Sequence, residues 1–349
     1  MNSWKDSILN HNTSIKDAIV NLEKSKIQIV LVVNDKNLFE GTLTDGDIRR
    51  AILKNADLNI PIKDAMSKNS FYTYEPLKKS AALELMNQNK INHIPHLNSE
   101  KIIIDLYQRS NLNDKVLNRP NHMLIMAGGF GKRLHPHTNK CPKPMLEISG
   151  KPILEHIILN AKKNGFVNFI VSLHFMGEVI EDYFKDGSNL GVKINYLKEN
   201  EPLGTAGAIS LIDFPINDPF VVSNGDVLTD IDYGDIVDFH FKNNAFATMA
   251  VRQHELQNPF GVVKTKGMEI IDIEEKPINI SYINAGVYVF EPLILKHLKK
   301  EQHCDMPDLF KTINKNNLKS LAYPIHEQWM DIGKPVDLDN ANKVFDEKE

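Results

Sequence analysis

The sequence predicts an α/β protein whose main domain carries a mixed, mainly parallel sheet, preceded by a smaller α+β module. Three observations carry this. Apolar strand-like runs alternate with helical patterns from residue 122 onward. A polar, proline-closed stretch at residues 111–121 divides the chain, and the part before it is weakly duplicated. At 349 residues there is enough chain for two domains, each with its own core. The expected division is residues 1–118 and 119–349.

Composition narrows the classes. With 42% hydrophobic residues the chain is not generally disordered. No apolar run approaches the roughly 18 residues of a membrane-spanning helix. The opening Met1-Asn-Ser-Trp-Lys-Asp lacks a basic segment leading into an apolar one, so no signal peptide is expected. Cys141 and Cys304 are the only cysteines, too few for a disulfide framework or a cysteine zinc site. A net charge of −4 gives no general attraction to nucleic acid. The expectation is a cytoplasmic protein with neither membrane nor nucleic acid as partner.

In the N-terminal module, Ser14 caps a helix with Asp17 in its first turn, and Ile27 to Val33 reads as a buried strand. About 63 residues on, a helix from Pro76 and a strand from Ile91 to Leu97 repeat the pattern. Two copies fit a paired module, since a solenoid needs about three. Gly41-Thr-Leu-Thr-Asp-Gly-Asp-Ile-Arg-Arg ends a strand and starts a helix, placing Thr44 and Asp47 at the helix N-terminus. Such residues either cap the helix or offer a carboxylate to ribose hydroxyls beside amides that can hold phosphate. The region resembles a tandem pair of CBS domains, in which Thr-x-x-Asp contacts the ribose of an adenosine ligand. That implies at most one adenine-nucleotide site, at Thr44 and Asp47, because the second copy (Lys101-Ile-Ile-Ile-Asp-Leu-Tyr-Gln) lacks the glycine and the aligned aspartate. CBS modules commonly pair face to face, so a homo-oligomer is expected.

In the second part, the order runs strand (His122 to Met126), glycine loop, helix (Pro152 to Lys163) and strand (Asn168 to Leu173). A helix (Gly177 to Phe184), a strand (Lys193 to Tyr196) and a central apolar strand, Pro219-Phe-Val-Val-Ser, follow. In such sheets ligands sit beyond the carboxyl ends of the strands. The most informative stretch is Leu124-Ile-Met-Ala-Gly-Gly-Phe-Gly-Lys-Arg-Leu-His-Pro-His-Thr-Asn-Lys-Cys-Pro-Lys-Pro-Met-Leu. Gly128, Gly129 and Gly131 let backbone amides approach a polyphosphate, Arg133 supplies a phosphate-matched fork, and two prolines fix Lys143 between them. A Walker A loop fails at Met126 and Arg133, and a dinucleotide fingerprint fails at Leu134. His135 and His137 flank the loop without metal-ligand spacing.

This pattern closely resembles the signature of the sugar-1-phosphate nucleotidyltransferases, with a Rossmann-like catalytic domain, and further matches follow in order to about residue 345. The resemblance implies nucleotide contacts at Leu124, Ala127, Gly128, Gly129, Gly131, Arg133 and Lys143, the last two catalytic with Asp226. Glu199 would read the base edge and Gly204 would lie against the base. A carboxylate accepts but does not donate, so Glu199 suits guanine, with its adjacent N1–H and amino donors, better than uracil or thymine. Asp226 of Ser-Asn-Gly-Asp and Asp331 of Trp-Met-Asp-Ile-Gly would bind Mg²⁺. Gly261, Glu275, Lys276 and Asn284 would meet the sugar phosphate. The one departure is Lys334, where the family often carries Thr.

The implied reaction is attack of a sugar 1-phosphate oxygen on the α-phosphorus of a nucleoside triphosphate, GTP by the Glu199 argument, releasing pyrophosphate. Glucosamine 1-phosphate and mannose 1-phosphate are the expected sugars, since CBS-fused members resemble enzymes supplying GDP-sugars for surface glycans, including the legionaminic acid route. The alternatives are a catalytically silent adenine-nucleotide sensor, or the same reaction with UTP, TTP or CTP.

Overall fold

The computed structural model describes residues 4–25, 27–54, 57–112 and 118–346. The chain divides into two compact units, residues 1–116 and 117–349. In the first, strand β1 (Ile8–Asn10) leads to helix α1 (Ile15–Ser25), strands β2 (Ile29–Val33) and β3 (Phe39–Thr44), and helix α2 (Asp45–Leu53). Helix α3 (Lys79–Asn89), strands β4 (His93–Leu97) and β5 (Ile103–Gln108), and the single turn α4 (Arg109–Leu112) then repeat that helix-strand-strand-helix order. The starts of α1, β2, β3 and α2 recur 64 residues later, at 79, 93, 103 and 109, which is the duplication expected from the sequence. Ser14 caps α1: its hydroxyl accepts from Asp17 N at 3.0 Å and donates to the Asp17 carboxylate at 2.7 Å. At Gly41 an added Cβ would lie 2.4 Å from the Ser67 carbonyl, so only glycine lets that backbone pass.

The second unit opens with strand β6 (Arg119–Met126) and the short pair β7 (Glu147–Ile148) and β8 (Lys151–Pro152). Helix α5 (Ile153–Lys163), strand β9 (Phe166–Leu173), helix α6 (Gly177–Phe184), strand β10 (Lys193–Lys198) and the turn α7 (Gly204–Gly207) follow. Strands β11 (Phe220–Asn224) and β12 (Val227–Thr229) precede helix α8 (Tyr233–Lys242). Strands β13 (Ala247–Gln257), β14 (Val262–Lys266), β15 (Glu269–Glu274) and β16 (Ile278–Phe290) come next. Helix α9 (Met306–Lys315), strands β17 (Ser320–Ile325) and β18 (Trp329–Asp331), and helix α10 (Pro335–Asp346) complete it.

Seven strands form one sheet in the order β10-β9-β6-β11-β16-β13-β17. β16 runs antiparallel to both neighbours and the other pairs are parallel, giving the mixed, mainly parallel sheet expected. β11 is central, and Phe220, Val221 and Val222 are fully buried between the apolar clusters on the two faces. β6 starts earlier than the sequence suggests, which corrects the connector's end. Arg119 donates from its amide to Gly165 O at 2.7 Å and pairs bidentately with Asp238 at 2.8 and 2.9 Å. Asn121 donates to Pro219 O at 2.7 Å. These polar residues are spent on hydrogen bonds that anchor the sheet, so their polarity does not mark a solvated linker.

Candidate active site

β6 delivers the glycine loop at the carboxyl end of the sheet. Leu124, expected among the nucleotide contacts, has its side chain fully buried within β6, where it pairs with Ile170 and Val222. Ala127 is 1% exposed, and its amide donates to Ser172 O at 3.1 Å, fixing where the loop departs. Gly131 adopts φ +61°, and a Cβ there would press on Thr138 Cγ2 at 2.9 Å and Lys143 Cβ at 3.2 Å. Thr138, fully buried, donates to Gly131 O at 2.9 Å. The fold itself thus demands glycine at 131. At Gly129 the opposite holds: a Cβ would meet nothing within 4 Å, and the position faces open space.

Lys143 opens a single turn, Lys143–Met145, held by Pro142 and Pro144, and is 8% exposed. Its ammonium rests on the Asp226 carboxylate. Asp226 sits in the turn between β11 and β12, which is pinned where Gly225 N donates to Met126 O at 2.9 Å. β12 pairs antiparallel with β18, Val227 opposite Asp331, and Ile332 N donates to Asp226 O at 3.0 Å. Two acids 105 positions apart in the chain (331 minus 226) therefore meet. Desolvation, and then the Asp226 charge, hold the Asp331 carboxyl above the usual carboxylate range, with Lys143 and Arg133 pulling the other way. Around Gly333, Arg133 Nη1, Asp331 Oδ1 and Asp337 Oδ2 each lie 3.7 Å from the position of a Cβ. Lys334 contributes its amide to Asp337 at 2.7 Å and is otherwise exposed, so the departure there leaves the turn intact.

Two mutually repelling carboxylates, offset by only two cations, are a donor set that fits a hard divalent ion. Among the described residues no group of three or more His, Cys, Asp or Glu converges as a metal cluster. An ion here would complete its shell with phosphate oxygens and water.

On the β10 side, Glu199 accepts from Leu203 N at 3.0 Å, and its other oxygen lies 3.0 Å from where a Gly128 Cβ would be. The carboxylate is thereby aimed across the glycine loop. His174 Nδ1 donates to Glu199 O at 3.0 Å, and Phe130 packs edge-on against His174 with centroids 5.3 Å apart. Gly204, at φ +78°, leaves room for Cys304 O, which would lie 2.7 Å from a Cβ. Thr205 N donates to Asp305 Oδ1 at 3.0 Å, and Met306 N to Thr205 Oγ1 at 2.8 Å. Asp305 and His174 hold this wall and were missed from sequence: no spacing rule links residue 205 to residue 305.

The residues expected to meet the sugar phosphate lie along exposed ribbons: Gly261 just before β14, Glu275 and Lys276 between β15 and β16, and Asn284 within β16. Gly261 makes room for Glu275, whose Oε2 would lie 2.9 Å from a Cβ. Lys276, at φ +48°, turns the chain beside it. Asn284 donates to Tyr288 Oη at 2.6 Å and accepts from Gly286 N at 3.0 Å, so its carbonyl is already used. Burial pushes the Tyr288 hydroxyl up to about 12. In the first unit, the Asp47 carboxylate accepts from Thr44 N at 2.8 Å and Thr44 Oγ1 at 2.6 Å, and pairs with Arg50 at 2.5 Å. Thr44 and Asp47 act there as a helix cap.

Residues 122–348 match the nucleotidyl transferase family and residues 5–54 match the CBS domain. A UTP–glucose-1-phosphate uridylyltransferase of Synechocystis sp. is 34% identical over 234 residues, 61% of this chain and 60% of that protein. The mannose-1-phosphate guanylyltransferase catalytic subunit beta of Danio rerio is 35% identical over 222 residues, 61% of each. The chain thus spans about 60% of the length of these relatives. The crystal structure of HddC from Yersinia pseudotuberculosis complexed with GMP-PN matches with TM-score 0.52 and 25% identity, over 64% of this chain and 99% of that one. No helix among the described residues is long and apolar enough to cross a membrane.

Proposed function

The chain belongs to the nucleotidyl transferase family, and from that premise we propose that it joins a nucleoside triphosphate, GTP, to a sugar 1-phosphate, giving a nucleotide sugar and pyrophosphate. The observation that carries this is the buried Lys143 ammonium on Asp226, beside Asp331 and Arg133, at the mouth of a glycine loop. That cluster suits a triphosphate better than a neutral ligand.

A phosphate oxygen of the sugar 1-phosphate attacks the α-phosphorus in line; one P–O bond forms as the bond to the β-phosphate bridging oxygen breaks, and pyrophosphate leaves. The nucleophile is already anionic, so no general base is needed. Arg133 and Lys143 offset the charge that spreads over the phosphoryl oxygens, and the loop amides hold the chain of phosphates. Asp226 and Asp331 would hold Mg²⁺, which supplies further neutralisation and alignment of the phosphates. Glu199, oriented by Leu203 N before any ligand arrives, accepts from guanine N1–H and the amino group. The guanylyltransferase relative and the GMP-PN complex support guanine, whereas the uridylyltransferase relative keeps UTP as the competing base.

Gly261, Glu275 and Lys276 would take the sugar and its phosphate, with glucosamine 1-phosphate and mannose 1-phosphate the first candidates and surface-glycan precursors, as on a legionaminic acid route, the product class. The N-terminal module would bind an adenine nucleotide at Thr44 and Asp47 or serve assembly. The test is pyrophosphate release with each of GTP, UTP, TTP and CTP against a panel of sugar 1-phosphates. We expect turnover with GTP, abolished by Glu199→Ala far more for GTP than for UTP. Absence of turnover with every pair would overturn the assignment.

A further inference from the structure

The carboxyl end of β11, next to the Asp226 turn, carries a buried polar atom that the protein leaves unused. Asn224 Oδ1 is buried and has no hydrogen-bond partner. Such acceptors are rare in folded proteins, because burial strips their water without replacing it. Asn224 closes β11, opposite Met126 of β6 and one residue before the Gly225-Asp226 turn. Side chains alternate along β11, so Asn224 shares the face of Val222, which packs with Leu124 and Tyr288. On β16, Tyr288 lies opposite Val222, which brings Gly286 alongside Asn224. The amide fills the space a side chain at 286 would take: its Nδ2 lies 2.8 Å from where a Cβ would be. Gly286, at φ +74°, is therefore cut to fit this amide.

The neighbouring Asn284 behaves differently. Its carbonyl accepts from Gly286 N, and its Nδ2 donates to Tyr288. Of the two asparagines, Asn224 is the one whose carbonyl has no protein partner, and it adjoins the Asp226 turn.

We propose that Asn224 is a specificity-determining residue, whose Oδ1 accepts a hydrogen bond from a hydroxyl or amino group on the ring of the sugar 1-phosphate. This rests on the transferase reading above. A site built to satisfy a buried acceptor rejects a substrate lacking the matching donor, because the acceptor then stays unpaired.

The test measures kcat/KM for the full chain with GTP, Mg²⁺ and the best sugar 1-phosphate, against its single deoxy analogues around the ring. The wild type should discriminate against one analogue by about 30-fold or more. Asn224→Leu, which removes the acceptor, should shrink that ratio to within about threefold, and Asn224→Asp, which keeps an oxygen, should restore it. Asn224→Ala is read beside Leu in case the larger side chain prevents folding, with thermal melting as the check. A ratio unchanged in the acceptor-free variants, or no discrimination by the wild type, overturns the proposal while leaving the transferase reading standing. Failure of the wild type to turn over any sugar 1-phosphate overturns both.

Discussion

The two ends of the proposed site are built differently. At the phosphate end, Lys143 and Thr138 are buried, the loop is locked by contacts a Cβ would break, and the charges are already matched. At the sugar end, Glu275 and Lys276 are exposed, and Ile270, Ile273 and Ile280 on the same ribbons are each above 60% accessible. One half is therefore fixed by the core before substrate arrives. The other has little side-chain packing of its own to hold it. Preorganised charge stabilises a transition state, whereas loosely held contacts mainly set affinity.

The sharpest way to break this contrast is Lys143→Ala. It removes the cation and strands Asp226, so turnover should fall about 10³-fold, with a stability loss of about 1–3 kcal/mol in thermal melting. A variant that kept its rate would show the phosphate end is not the reacting end. Glu275→Ala comes next. KM for the sugar 1-phosphate should rise about 10- to 100-fold with kcat changed less, and the melting temperature should hold, since exposed substitutions stay within about 0.5 kcal/mol. A large kcat loss there would put chemistry on the ribbon.

Smaller still is the effect of Asp331 on metal-free protein. Its carboxyl is raised in the folded state, so the native chain binds its proton more tightly than the unfolded chain. Stability should therefore fall as pH rises from the ordinary carboxylate range through the raised value. Asp331→Asn should flatten that slope and also abolish any Mg²⁺-dependent rise in melting temperature. A slope that persists in the variant would assign it to another group. Outside the contrast, AMP or ATP should shift melting of wild type more than of Asp47→Ala if the first unit binds adenine nucleotide. Equal shifts would leave Thr44 and Asp47 as a cap, worth about 1 kcal/mol to the helix.

Legibility in the sequence followed the same divide. The glycine loop and Lys143 between its prolines are short contiguous patterns, and the Asp226 and Asp331 turns were picked out by the family resemblance they carry, although the strand pairing that joins them is long-range. The β-branched runs likewise announce the central strands. What the sequence concealed were long-range polar ties. Arg119 looked like linker because its partner Asp238 comes 119 positions later, and Thr205 gives no hint of Asp305. Leu124 was expected at the nucleotide only through the family resemblance, and the sequence did not show that sheet pairing on both sides buries its side chain. Asn224 stands inside the Ser-Asn-Gly-Asp stretch, but nothing in that pattern gives it a role of its own; only its unmet carbonyl sets it apart.

The pairing of β12 with β18 also imposes an order of events during synthesis. On the ribosome, the glycine loop, Lys143 and Asp226 can all be in place long before Asp331 has been made. A nascent or truncated chain can thus own most of the sheet and half of the acid pair. It gains the other half only when the strand carrying Trp329 to Asp331 docks.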